Sequence, residues 1–188
     1  VPELRTPTEG MPRDLALEEN THGTYAARVT DRGSADLHGD WRLDEVASAD
    51  PSVIARLTGD AALAGIDLSR AVFLDTETTG LSGGAGVYVY MIGLGRFVDG
   101  GFEVWQGFLR EPDEERALLA EAARRIGDAQ SMVSFFGKSF DRHRLEDKMR
   151  IAGVEPPFAE LPHLDLYHPF QRLTKGHYEN GRLCTMES

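Results

Sequence analysis

The sequence predicts an α/β fold: a mixed β-sheet that opens with a three-strand meander, continues as alternating helices and strands, and is flanked by helices. Three observations lead there. The run Ala71-Val72-Phe73-Leu74 is wholly apolar and ends at Asp75, the pattern of a central strand buried on both faces. Asp99-Gly100 separates two β-rich runs and signals a hairpin. Beyond residue 110, short apolar runs alternate with segments whose apolar residues recur at helical spacing, the mark of strands joined through helices.

Taken in order, residues 1–20 are rich in Pro, Glu and Thr and are expected to form a poorly ordered lead-in. Residues 21–70 read as an N-terminal extension. It holds a strand at Gly23–Thr30, a polar connection to Trp41, a short helix from Pro51 with Val53, Ile54 and Leu57, and a second short helix at Ala61–Ala64. No chemistry is evident there: His22, His38 and Trp41 have no neighbours at ligand spacing and are read as structural or surface residues. The main domain is assigned to residues 71–188. After a glycine-rich loop, Gly80–Gly86, a long strand is expected at Val87–Phe97, with Phe102–Leu109 returning beside it. Acidic residues and Pro112 open a helix at Glu111–Glu115. Leu118, Leu119, Ala122, Ala123 and Ile126 form its apolar stripe, Arg124 and Arg125 fill its last turn, and Gly127 ends it. A buried strand at Gln130–Phe136, a helix at Ser139–Ala152 and a last strand at Leu161–Leu166 follow.

Composition narrows the class. With 188 residues, 41% hydrophobic and 27% charged, the chain suits one well-packed domain. No apolar run approaches the roughly 18 residues that span a bilayer, and no signal-peptide pattern is visible, so a cytoplasmic protein with no membrane partner is expected. The single cysteine, Cys184, excludes an internal disulfide and a cysteine-based metal site, and reads as a small hydrophobe. The net charge of −11 argues against a long, tight footprint on nucleic acid, but not against action at an end. The chain starts at Val1 and stops at Ser188 within what reads as a further element, Leu183–Glu187, so a fragment of a longer protein is expected.

Side chains at i and i+2 of a strand point the same way, so Asp75 and Glu77 project together. Two such carboxylates repel, and burying them without a cation is costly. A solvent-facing strand end would also accommodate them. The apolar run before Asp75 and the Thr78-Thr79-Gly80 turn after it, whose backbone N–H groups can approach a ligand, favour metal binding. A third acid, Asp141, falls in the first turn of a helix that Ser139 could cap. Alone it would read as a helix-dipole partner. However, Asp141, Leu145, Met149 and Ala152 share one helix face, which turns the carboxylate toward the sheet. Lys138, Arg142, Arg144, Lys148 and Arg150 form a basic cluster, either a solvated face or a contact for phosphates.

Leu74-Asp75-Thr76-Glu77-Thr78-Thr79-Gly80-Leu81 resembles the first motif of the DEDD exonucleases, and Phe136 to Asp141 resembles their second, Asn-x-x-x-Phe-Asp. With Leu81-Ser82-Gly83-Gly84-Ala85-Gly86 and Leu161-Pro162-His163-Leu164-Asp165-Leu166-Tyr167-His168-Pro169, these segments resemble the bacterial YprB-type RNase H-like exonuclease domain over residues 20–188. The resemblance implies an RNase H-like fold and a 3′–5′ exonuclease. Two Mg2+ or Mn2+ ions, roughly 3.5–4 Å apart, would be held by Asp75, Glu77 and Asp141, and the substrate would be a single-stranded DNA or RNA end. Hard oxygen donors without thiolates suit those ions better than zinc. It further implies that Thr78, Gly80 and Leu81 contact the terminal nucleotide; Lys138 is assigned to substrate binding with them. Asp165 and His163, on one face of the last strand, are given a supporting or structural role.

Two departures stand out. Phe136 replaces the second motif's Asn and cannot make an amide's hydrogen bonds. The family's fourth acid, preceded four residues earlier by a His or Tyr that assists water, is expected beyond Ser188. His177 and Tyr178 have no acid four residues on and read as loop, and His143 and His168 as surface. The 188 residues alone are therefore expected to bind metal weakly and turn over poorly. Two other readings stay open: a nucleic-acid-binding module with incomplete catalysis, and a phosphodiesterase on small nucleotides, which suits the acidic surface.

Overall fold

In a computed structural model, residues 14–80 and 87–174 are described. Strands β1 (Ala16–Asn20) and β2 (Gly23–Gly33) are followed by a two-residue-per-arm hairpin, β3 (Leu37–His38) and β4 (Trp41–Arg42). Helices α1 (Leu43–Ala47) and α2 (Pro51–Thr58) lead through 3-10 turns at Ala61–Gly65 and Leu68–Arg70 into β5 (Ala71–Thr78). Then come β6 (Val89–Val98), β7 (Gly101–Phe108), α3 (Glu115–Gly127), β8 (Ser131–Ser134), α4 (Asp141–Ile151), β9 (His163–Asp165) and α5 (Tyr167–Thr174).

Seven strands form one sheet in the order β1-β2-β7-β6-β5-β8-β9. The β5-β6-β7 meander is antiparallel, and β8 and β9 add in parallel on the other side of β5. This is the mixed, helix-flanked RNase H-like sheet that the sequence predicts. One face carries the larger core, in which Val72, Leu74, Ile92 and Trp105 meet Leu118, Ile126, Leu145 and Met149 of α3 and α4. Each such fully buried side chain contributes about 1.5–3 kcal/mol. The second face has a smaller core, where Leu63 and Leu68 of the 3-10 turns and Ile66 between them cover Ala71, Val133 and Leu164. Strand β5 is thus covered on both faces along its first half.

Local chemistry explains the better-defined helices. Asp50 accepts the Ser52 N–H at 2.8 Å, Pro51 occupies the first turn and Gly59, at φ 73°, closes α2. The acidic run before α3 makes a 3-10 turn at Pro112–Glu114 instead of α-helix, because the buried Glu114 carboxylate turns back to the Arg110 backbone N–H and guanidinium.

Several expectations change. Residues 16–20, read as the end of a poorly ordered lead-in, pair with β2 from Ala16↔Ala27 to Asn20↔Gly23; the Thr21-His22 turn closes the hairpin, and the alternation needed for pairing is too polar to stand out in sequence. The extension's strand joins the central sheet through β2–β7 pairing, so the meander grows to five antiparallel strands. Ser139 does not cap α4: the helix begins at Asp141 with Phe140 before it and no side-chain cap. Helix α5 was not expected; Pro169 lies in its first turn, where the missing N–H costs nothing. Leu81, the rest of the 81–86 loop, His177, Tyr178, Cys184 and the element at 183–187 lie outside the described residues.

Candidate active site at the end of the central strand

Beyond Leu74 the cover on the second face of β5 stops. Asp75 and Glu77 continue the row of Ala71 and Phe73 on that face, and both are exposed. A register shift between Glu77 and Thr78 marks a bulge against β6, a device that re-aims side chains near a strand end. Although its tip reaches solvent, the Asp75 carboxyl is raised above the ordinary carboxylate range by burial and then by the charge of Glu77. No ion pair among the described residues involves either acid.

Thr76, between them, faces the helices, and its hydroxyl donates to Asp141 Oδ1. Asp141 is 7% exposed and shares a buried face of α4 with Leu145 and Met149, as its spacing predicts. Burial raises its pKa most; the Thr76 hydrogen bond opposes the rise, and the charges of Asp75 and Asp165 add to it. The loop before α4 is tight enough to require glycine: a Cβ on Gly137 would lie 2.6 Å from Ser134 Oγ and 2.9 Å from Asp141 Oδ2. The sequence reading missed Thr76, and its signal is the strand alternation itself, which turns the residue between two outward acids toward α4.

Asp165 organises the same loop. Its Oδ1 accepts the backbone N–H of Phe136 at 2.8 Å and of Tyr167 at 3.0 Å, and its Oδ2 accepts that of Lys138 at 3.0 Å. It therefore ties the turn before α4 to the start of α5. His163 is buried, its Nε2 lies 2.8 Å from Ser134 Oγ, and its Nδ1 has no partner among the described residues. Burial, with Arg142 nearby, lowers its pKa to about 4, so the ring is neutral near pH 7. Thr78 donates to the Gly80 carbonyl at 3.1 Å, shaping the turn that leaves β5. Of the basic cluster, Lys148 is buried against Glu115 at 3.0 Å, Arg142 donates to the Phe158 carbonyl at 2.7 Å and Arg150 pairs with Glu146. Arg144 lies over the Phe140 ring at 4.8 Å, and Lys138 is exposed beside the loop.

The donor set fits a hard divalent cation: carboxylate oxygens, no thiolate, and two acids, Asp75 and Asp141, raised in pKa first by burial and then by neighbouring negative charge. It is not a ready-made cage. Among the described residues no three Asp, Glu, His or Cys side chains converge closely enough to hold a metal, because Thr76 keeps Asp141 on the helix side of β5 while Asp75 and Glu77 face the other.

The sequence pattern of the RNase H superfamily matches residues 72–188, from the second residue of β5 to the end of the chain. The chain belongs to the RNase H superfamily. It is also 35% identical over 124 residues to the "Uncharacterized protein YprB" of Bacillus subtilis (strain 168), an overlap covering 65% of this chain. The chain spans 30% of that protein's length. Fold and relative together make this a YprB-type RNase H-like domain, in a superfamily of nuclease folds that generally use divalent metal ions. No described helix is long and apolar enough to cross a membrane.

Proposed function

We propose that this domain is a metal-dependent 3′–5′ exonuclease of the DEDD type, acting on single-stranded DNA or RNA ends in the cytoplasm. The observation that carries the reading is the carboxylate couple Asp75–Glu77 at the open end of the central strand, without an ion-pair partner among the described residues, with Asp141 close enough to feel the charge of Asp75. Asp75, Glu77 and Asp141 would hold the metal ions, Mg2+ or Mn2+ by donor chemistry. Bound there, such ions lower the pKa of water and stabilise the charge that develops on the departing 3′ oxygen.

The chain's own groups then have defined tasks. Thr76 holds Asp141 in a fixed rotamer and can release it when a cation competes for the oxygen. Asp165 fixes the loop at Gly137, whose missing side chain lets the backbone lie against Asp141. Lys138 would meet a backbone phosphate, and Thr78, Gly80 and Leu81 would border the terminal nucleotide. The net charge of −11 favours a second reading, a phosphodiesterase on small nucleotides.

End-labelled oligonucleotides incubated with Mn2+ or EDTA test the proposal. Stepwise shortening from the 3′ end that EDTA abolishes and Asp75→Ala reduces at least about 100-fold is expected, since a metal ligand should matter at least as much as the groups that orient one. Unchanged cleavage by Asp75→Ala would falsify the exonuclease assignment. Cleavage of dinucleotides but not oligomers would transfer it to the small-substrate reading.

A further inference from the structure

Phe136 carries two costs that the fold does not repay. Its φ is 63°, making it the one non-glycine residue with positive φ among the described residues, in a region where a bulky aromatic is an outlier and Asn or Gly sits readily. The residue is 49% exposed, whereas the neighbouring Phe135 turns into contact with Phe170 and Tyr167. The backbone is held there by Asp165, which accepts the N–H groups of both Phe136 and Lys138. An exposed, strained apolar side chain held by a dedicated carboxylate is built to meet something from outside.

Its position says what. Phe136 directly precedes Gly137, whose backbone packs against Asp141, so its own backbone borders the loop that closes on the carboxylate site. Tyr167 props it from one side, with ring centroids 4.6 Å apart at 62°, and nearly half of the residue remains open to solvent. A flat, half-open aromatic surface beside phosphodiester chemistry matches the π-face of an unpaired base, which every nucleobase offers. We propose that Phe136, propped by Tyr167, is a stacking platform for the base of the nucleotide being processed, and that it selects unpaired ends over blunt duplex without reading sequence. The inference rests on the nuclease reading of the site and names the side chain that would give it a preference for an unpaired end.

Fluorescence anisotropy of 5′-labelled single strands and of the matching blunt duplex, on the full chain carrying Asp75→Ala to prevent turnover, tests it. Phe136→Asn relieves the backbone and removes the ring, so thermal stability should hold or rise while single-strand affinity falls about ten-fold. Phe136→Leu keeps the apolar bulk and the strained backbone and should lose affinity similarly, whereas Phe136→Trp should keep it. Affinities of Phe136→Asn and Phe136→Leu within two-fold of the parent overturn the platform alone, as does equal parental affinity for the blunt duplex. If the parent binds no oligonucleotide at all, the nuclease reading falls with it.

Discussion

Asp165 and Asp75 lie at the ends of two strands separated only by β8, yet the fold treats them differently. Asp165 accepts three backbone N–H groups from two loops. Asp75 has beside it another carboxylate, Glu77, and no cation among the described residues. Both are acids in an RNase H-like sheet, so residue type does not separate their roles. The difference lies in where their charge is answered: inside the protein for Asp165, outside it for Asp75 and Glu77. Asp141 is intermediate, held by a hydroxyl and still raised in pKa.

The largest effect that follows is on stability. Asp165→Ala leaves three N–H groups without their acceptor, and hydrogen bonds to a charged group contribute about 1.5–3 kcal/mol each, less where water can replace them. A net loss of about 3 kcal/mol, or about 6–12 °C in Tm, is expected by thermal unfolding. Asp75→Ala should show no such loss. Equal destabilisation by the two changes would erase the distinction.

His163 sharpens the scaffold side. Its folded pKa of about 4 lies below the ordinary histidine value of 6.5. The neutral ring is therefore favoured in the fold, and stability is fully present above pH 6.5 and lost as pH falls toward 4. Burial is the main cause; Arg142, Lys138 and His143 act in the same direction, and Asp165 partly offsets them. The loss reaches about 3 kcal/mol at most. His163→Gln, which can still bond Ser134, should flatten the pH profile of Tm over that interval. A profile that keeps its slope in the variant would place the titration elsewhere.

The two sides were not equally legible in sequence. Asp75, Glu77 and Asp141 stand out because each breaks an apolar pattern of definite period, and the order of strands and helices from Ala71 to Asp165 follows from the same periods. Asp165 was placed on the correct strand, but its three bonds come from residues 29, 27 and 2 positions away, two of them set only when β8 and β9 pair. Thr76 was passed over between two conspicuous acids. Lys148 and Arg142 were grouped in a basic cluster read as a solvated face or a phosphate contact, because charge alone does not reveal that Glu115 and the Phe158 carbonyl lie within reach. Strand β1 was lost to its polar composition. Local periodicity is written in the chain; partners brought by folding are not.

The smallest effect reverses the sign of the first. Asp141 has a folded pKa above 3.8, so its contribution to stability is present below that value and is lost as pH rises through the folded pKa. At pH 7.5 its charge therefore works against the metal-free fold. Asp141→Asn keeps the size and an oxygen for the Thr76 hydroxyl while removing the charge. In EDTA the variant should unfold at a higher temperature than the parent, by up to about 1 kcal/mol or about 2–4 °C, with the gap closing near pH 3.5. Adding Mn2+ should raise the parent's Tm and narrow the gap, because a ligand that binds the folded state stabilises it in proportion to its affinity. A variant less stable than the parent in EDTA would mean that the Asp141 charge is answered inside the protein, and would move this acid to the side of Asp165.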